Sequence, residues 1–165
     1  MEQLYTLFKE KGYDKRFQYG SRLVITGGEP MLQQGGLEEF CTMLRQRLHY
    51  FPLIEVETNG TRAPEVHFNP FIHQYNVSPK LSSADDNHAV RYQPDVLLAF
   101  AQHSRAYFKF VITKPEDLEE IFVKYIMPFE IAPNKICLMP EGALPEQMNV
   151  MADMVVEMCK EHGFR

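Results

Sequence analysis

Five short apolar runs recur along the chain, each closed by a polar or glycine-containing loop, and helical patterns separate them. The runs are 22–26, 53–57, 71–77, 107–112 and 135–139. Apolar runs this short, rich in Val, Ile, Phe and Tyr and bounded by turn residues, read as strands. The intervening segments 37–49, 94–103 and 114–125 place apolar residues on one helical face, as do 2–11 before the first run and 145–161 after the last. On 37–49 that face is Leu37, Phe40, Cys41, Leu44 and Leu48. Strands separated by helices require crossover connections and a parallel sheet. A doubly wound sheet and an open barrel both fit. In either, ligands collect at the carboxyl ends of the strands.

The loops at those ends hold the polar chemistry. Leu23-Val24-Ile25 runs into Thr26-Gly27-Gly28-Glu29-Pro30, where two glycines let backbone groups approach a ligand and Glu29 suits an ammonium. Taken alone, Gly27-Gly28 would equally serve a tight turn. The second strand ends in Glu57-Thr58-Asn59-Gly60-Thr61, whose Asn-Gly pair marks a turn and whose Glu57 reads either as a site carboxylate or as one paired to a neighbour. Ser78-Pro79-Lys80 follows the third, with Lys80 suited to a carboxylate, and Met139-Pro140-Glu141-Gly142 follows the fifth. Leu81 to Tyr92 is polar and aperiodic, a surface loop.

Composition narrows the partners. In 165 residues, 45% hydrophobic and 12% aromatic, there is enough apolar material for a core. A net charge of -5 excludes binding to nucleic acid through a general basic surface. Apolar runs stop far short of the roughly 20 residues a membrane span needs, so no membrane partner is expected. The start, Met1-Glu2-Gln3-Leu4-Tyr5, has no secretory pattern, and a cytoplasmic address is the expectation. Cys41, Cys137 and Cys159 are too dispersed for a compact metal motif and read as small core residues. The six histidines show no ligand spacing, and Met148, Met151, Met154 and Met158 read as a core face of the last helix.

Thr26-Gly27-Gly28-Glu29-Pro30, Glu57-Thr58-Asn59-Gly60-Thr61, Ser78-Pro79-Lys80 and Met139-Pro140-Glu141-Gly142, in that order at strand ends, resemble the radical S-adenosylmethionine (SAM) superfamily. Within it they look most like the 7-carboxy-7-deazaguanine synthase family, over nearly the whole chain. The resemblance implies an α/β fold, a partial, incomplete TIM-like barrel of about five parallel strands alternating with helices, with residues 1–165 as one domain. It implies SAM contacts at Gly27, Gly28, Glu29, Ser78, Pro79, Lys80, Met139, Pro140, Glu141 and Gly142, and substrate contacts at Thr26 and Glu57. The activity implied is a carbon–nitrogen lyase step of queuosine biosynthesis, converting 6-carboxy-5,6,7,8-tetrahydropterin to 7-carboxy-7-deazaguanine with loss of ammonia. Family cofactors are SAM, a [4Fe–4S] cluster and Mg²⁺; the implied partners are the pterin, an electron donor such as flavodoxin or ferredoxin, and a second copy in a homodimer.

One departure is large. Radical SAM clusters sit on three closely spaced cysteines, usually Cys-x-x-x-Cys-x-x-Cys, and the chain has no such motif. The family carries it upstream of the segment matching this chain and continues beyond the last helix, so the resemblance implies a central portion that is inactive alone. The alternative is a cluster-less SAM or nucleotide-binding module, or a protein-interaction subunit.

Overall fold

The computed structural model describes residues 2–84, 91–142 and 144–165. Its strands are β1 (Arg22–Ile25), β2 (Leu53–Thr58), β3 (Gln74–Val77), β4 (Ala106–Ile112) and β5 (Ile136–Pro140), in one sheet of order β1-β2-β3-β4-β5. The strands are parallel throughout. A doubly wound sheet reverses strand order at a switch point; this order never reverses, which selects the partial barrel-like α/β alternative. The helices are α1 (Glu2–Glu10), α2 (Tyr13–Gln18), α3 (Gln34–Arg47), α4 (Pro94–Gln102), α5 (Asp117–Ile121) and α6 (Pro145–His162). No described helix is long and apolar enough to cross a membrane. The expected loop from Leu81 to Tyr92 has a 3-10 turn at Ser82–Ala84, while its Asp85, Asp86 and Asn87 lie outside the described residues.

The chain divides into two compact units, Met1–Glu57 with Pro64–Tyr75, and Thr58–Ala63 with Asn76–Arg165. In the first, Phe8, Phe40, Met43 and Leu44 form a core, with Tyr5, Phe17, Leu23, Leu48 and Phe51 against it. Helix α3 begins at Gln34, earlier than the periodicity places it, across Gly35-Gly36. Buried Gln34 makes this start tenable: its Nε2 donates to the Met31 carbonyl at 3.1 Å and its Oε1 accepts the Glu65 amide at 2.8 Å. Strand β3 begins at Gln74 rather than 71, because Asn69–Phe71 closes a 3-10 turn around Pro70. His73 then bonds β2 partly through its ring, whose Nδ1 accepts the Ile54 amide at 3.0 Å.

In the second unit β4 alternates buried and half-buried residues without a break, as a strand covered on one face does. It pairs in parallel with β5 from Phe108↔Ile136 to Ile112↔Pro140. Phe108, Phe110 and Ile112 are buried, and Phe110 meets the helical segment after β4, 5.0 Å from the Tyr125 ring centre. That segment outruns its expected end: α5 passes into a π-helical turn, Phe122–Ile126, and a last α turn, Met127–Phe129. Pro128 lacks the N–H that would bond the Lys124 carbonyl in an α-helix, and the Tyr92 hydroxyl donates to that carbonyl instead, at 2.9 Å.

The methionines of α6 are a correction. Met148 is exposed and Met151, Met154 and Met158 are half-buried, whereas Val155 is the buried residue. The helix packs on β5, and Ala152, Val155 and Cys159 line a shallow cavity together with Leu138 and Pro140 of that strand. Beyond α6 the chain folds back on β5, with Arg165 N donating to the Ile136 carbonyl at 2.8 Å and Leu138 N to the Arg165 carbonyl at 2.9 Å.

Burial, with Arg105 and Lys135 adding repulsion, holds His103 below its ordinary value of 6.5. A group with a depressed folded pKa contributes stability above its unfolded pKa, and that contribution is lost as pH falls toward the folded pKa. Stability is therefore expected to decline as pH drops below 6.5, with a shallower decline in His103→Gln. Urea midpoints of both chains at pH 7 and pH 5.5 measure it; parallel slopes would refute it.

Candidate functional site

The first unit carries the Thr26–Pro30 loop and Glu57. Ile25 is buried at the end of β1, and the chain emerges at once: Thr26, Gly27 and Gly28 are exposed. Gly27 has φ 125°, a conformation that disfavours any side chain. A Cβ built on Gly27 or Gly28 would meet nothing within 4 Å, so the loop backbone borders open space. Half-buried Glu29 turns the chain into a 3-10 helix, Pro30–Gln33, by accepting the Met31 amide on Oε1 at 2.9 Å. Pro30, at the first helical position, has no N–H to satisfy. The parallel register pairs Ile25 with Val56. Thr26 and Glu57 thus follow the same rung on adjacent strands, at one backbone level.

The second unit holds the other loops. Asn59-Gly60 is a structural turn: Asn59 Oδ1 accepts the Thr61 amide at 3.0 Å and its hydroxyl at 2.6 Å, and Gly60 has φ 76°. Buried Thr58 takes the Gly60 amide on its hydroxyl at 3.2 Å and the Ser78 amide on its carbonyl at 2.7 Å. A Cβ on Gly60 would lie 2.9 Å from Val77 Cγ1 and 3.9 Å from Pro79 Cγ. The Asn59-Gly60 turn and the Ser78-Pro79-Lys80 turn are therefore brought together, with Pro79 buried, Ser78 half-buried and Lys80 exposed. Met139 and Glu141 are exposed on the fifth loop, and Pro140 and Gly142 are half-buried. The Glu141 amide ties that loop to the end of β4 through the Ile112 carbonyl at 2.9 Å.

Two groups of residues escaped the sequence reading. Buried Asp117 organises the loop after β4, where no motif was visible: one oxygen accepts the Thr113 amide at 2.7 Å, the Thr113 hydroxyl at 2.8 Å and the Lys114 amide at 3.1 Å. Its signal was an acid in the first turn of a helix. Arg91 and Tyr125 both donate to the Lys80 carbonyl, and Glu120 accepts from Arg91. They lie 11 to 45 residues from Lys80, and no local pattern announces them.

Taken separately, the first unit's open glycine backbone and Glu29 carboxylate suit an ammonium, and the second unit's exposed Lys80 suits a carboxylate, the two charged groups at the amino-acid end of SAM. They do not fit an iron–sulfur cluster. Cys41 is buried, and burial pushes its thiol up to about 12, while burial likewise raises half-buried Cys137 and Cys159. A cluster needs thiolates. Among the described residues no group of three or more His, Cys, Asp or Glu side chains is placed to hold a metal ion.

No family model matches the chain. It is similar to proteins named 7-carboxy-7-deazaguanine synthase from three organisms. With that of Pyrobaculum aerophilum it shares 32% identity over 144 residues, 87% of this chain and 60% of the relative. With that of Halobacterium salinarum the identity is 29% over 169 residues, covering 90% and 63%. With that of Rhodopirellula baltica it is 26% over 155 residues, covering 87% and 57%. The chain thus spans less than two thirds of each of these relatives while matching them over nearly all of its own length. It is a relative of the 7-carboxy-7-deazaguanine synthases, the family its loop motifs resemble.

Proposed function

We propose that residues 1–165 are the central part of a radical SAM partial barrel of the 7-carboxy-7-deazaguanine synthase type. The intact enzyme would convert 6-carboxy-5,6,7,8-tetrahydropterin to 7-carboxy-7-deazaguanine with loss of ammonia, drawing electrons from a flavodoxin or ferredoxin. The observation that carries this reading is the placement of four motifs, in the family's order, in the loops that close parallel strands β1, β2, β3 and β5. Gly27, Gly28 and Glu29 would receive the amino group of SAM, Ser78 to Lys80 and Met139 to Gly142 the rest of it, and Thr26 with Glu57 the pterin. A pterin edge presents donors and acceptors together, which a hydroxyl and a carboxylate answer. Cluster chemistry has no ligands here, and the chain by itself is inactive.

The test is titration of the chain with SAM, followed by the amide resonances of Gly27 and Gly28. Millimolar SAM is expected to shift them, and Glu29→Gln to weaken binding about tenfold, as loss of one charge-assisted hydrogen bond does. The Gln side chain keeps an oxygen for the Met31 amide, so the cap survives. Unmoved glycine amides would defeat the reading. The absence of a fitting cysteine set favours a second reading, a cluster-less binding module, and micromolar affinity for SAM in calorimetry would select it.

A further inference from the structure

The peptide bond after Lys80 is gripped by side chains that no binding role accounts for. Arg91, 7% exposed, donates through one terminal nitrogen to the Lys80 carbonyl at 2.7 Å and through the other to Ser82 Oγ at 3.1 Å. The Tyr125 hydroxyl donates to the same carbonyl at 3.4 Å. Two donors on one carbonyl occupy both its lone pairs, so this peptide cannot rotate without breaking both bonds. A guanidinium withdrawn from water is tolerated where its charge is met. Glu120 meets it at 3.5 Å, and in turn accepts the Ser82 amide at 2.9 Å and Lys124 Nζ at 3.1 Å. Burial works against ionisation of Glu120, but the hydrogen bonds from Ser82 and Lys124 prevail and hold its carboxyl below the usual range.

A surface turn needs none of this. Pro79 fixes one backbone angle, and the Ser78 amide is already bonded to Thr58. What the cluster adds is a fixed origin for the exposed Lys80 side chain. The grip also demands arginine, because only a planar fork spans the Lys80 carbonyl and the Ser82 hydroxyl at once. We propose that Arg91 is a positioning residue: it locks the Lys80 carbonyl, Glu120 locks Arg91, and the Ser78–Lys80 turn holds its binding form before the cofactor arrives. The proposal rests on the SAM reading given above.

Trypsin cleavage at Lys80–Leu81 tests it, since a protease needs this stretch to open. Cleavage of the full chain is followed by mass spectrometry with and without millimolar SAM, and cleavage at exposed Lys11 serves as the control. In the native chain SAM is expected to slow the Lys80 cut. Arg91→Gln should speed that cut about tenfold with the Lys11 rate unchanged, and SAM should no longer slow it; Arg91→Lys should fall between. Equal Lys80 rates in the native and Gln chains overturn the grip, and equal SAM protection in both overturns the positioning role. No SAM protection in the native chain refutes the cofactor reading and the positioning role with it, whatever the cleavage rates. Should Arg91→Gln not fold, Tyr125→Phe removes the second donor, and an unchanged Lys80 rate there overturns the grip.

Discussion

Phe110→Ala is expected to lose about 3–5 kcal/mol of stability, the usual cost of emptying a buried aromatic site. Phe110 is wholly inaccessible and lies 6.4 Å from Phe108 and 5.0 Å from Tyr125 between ring centres. For a chain of this size such a loss corresponds to about 6–20 °C in melting temperature, read by circular dichroism. The effect reaches beyond stability. Tyr125 leans on Phe110 and holds the Lys80 carbonyl, so the variant should also open the turn after β3, seen as faster hydrogen exchange of the Leu81 and Ser82 amides. Native-like exchange there, with a lowered melting temperature, would separate core packing from the turn.

Gly60→Ala is the second large effect, at about 2–4 kcal/mol, for two independent reasons. At φ 76° an L side chain strains the backbone, and the new methyl would press on Val77 Cγ1 at 2.9 Å and Leu97 Cδ2 at 3.3 Å. Val77 is buried in β3 and Leu97 in α4, so neither can withdraw. Gly28→Ala is the contrast, because its Cβ meets open space and its φ is not positive. A melting temperature for Gly60→Ala equal to that of Gly28→Ala would contradict the packing described.

The strands were legible wherever one face is buried and the other is not. Strand β4 is the clearest case, since every second residue from Ala106 to Ile112 is buried. β3 misled at its start, because Phe71 and Ile72 are apolar for core reasons while Pro70 bends the backbone into a 3-10 turn. Gln34 hid the true start of α3: a polar residue before two glycines reads as loop until its amide is seen bonding Met31 and Glu65. Loop motifs were legible because glycine, proline and charge cluster in the chain itself. Arg91 and Glu120 were not, since a residue that grips a distant carbonyl leaves no periodic trace.

The return of the chain onto β5 has a consequence for behaviour in concentrated solution. An outer strand offers alternating amides and carbonyls to any other strand that passes, which is how native chains begin to associate edge to edge. On β5 the Ile136 carbonyl and the Leu138 amide are already taken by Arg165, and Pro140, next on that side by alternation, has no amide to give. Among the described residues, three consecutive points on this side of β5 are thereby withdrawn from strand pairing, by one folded-back residue and one proline.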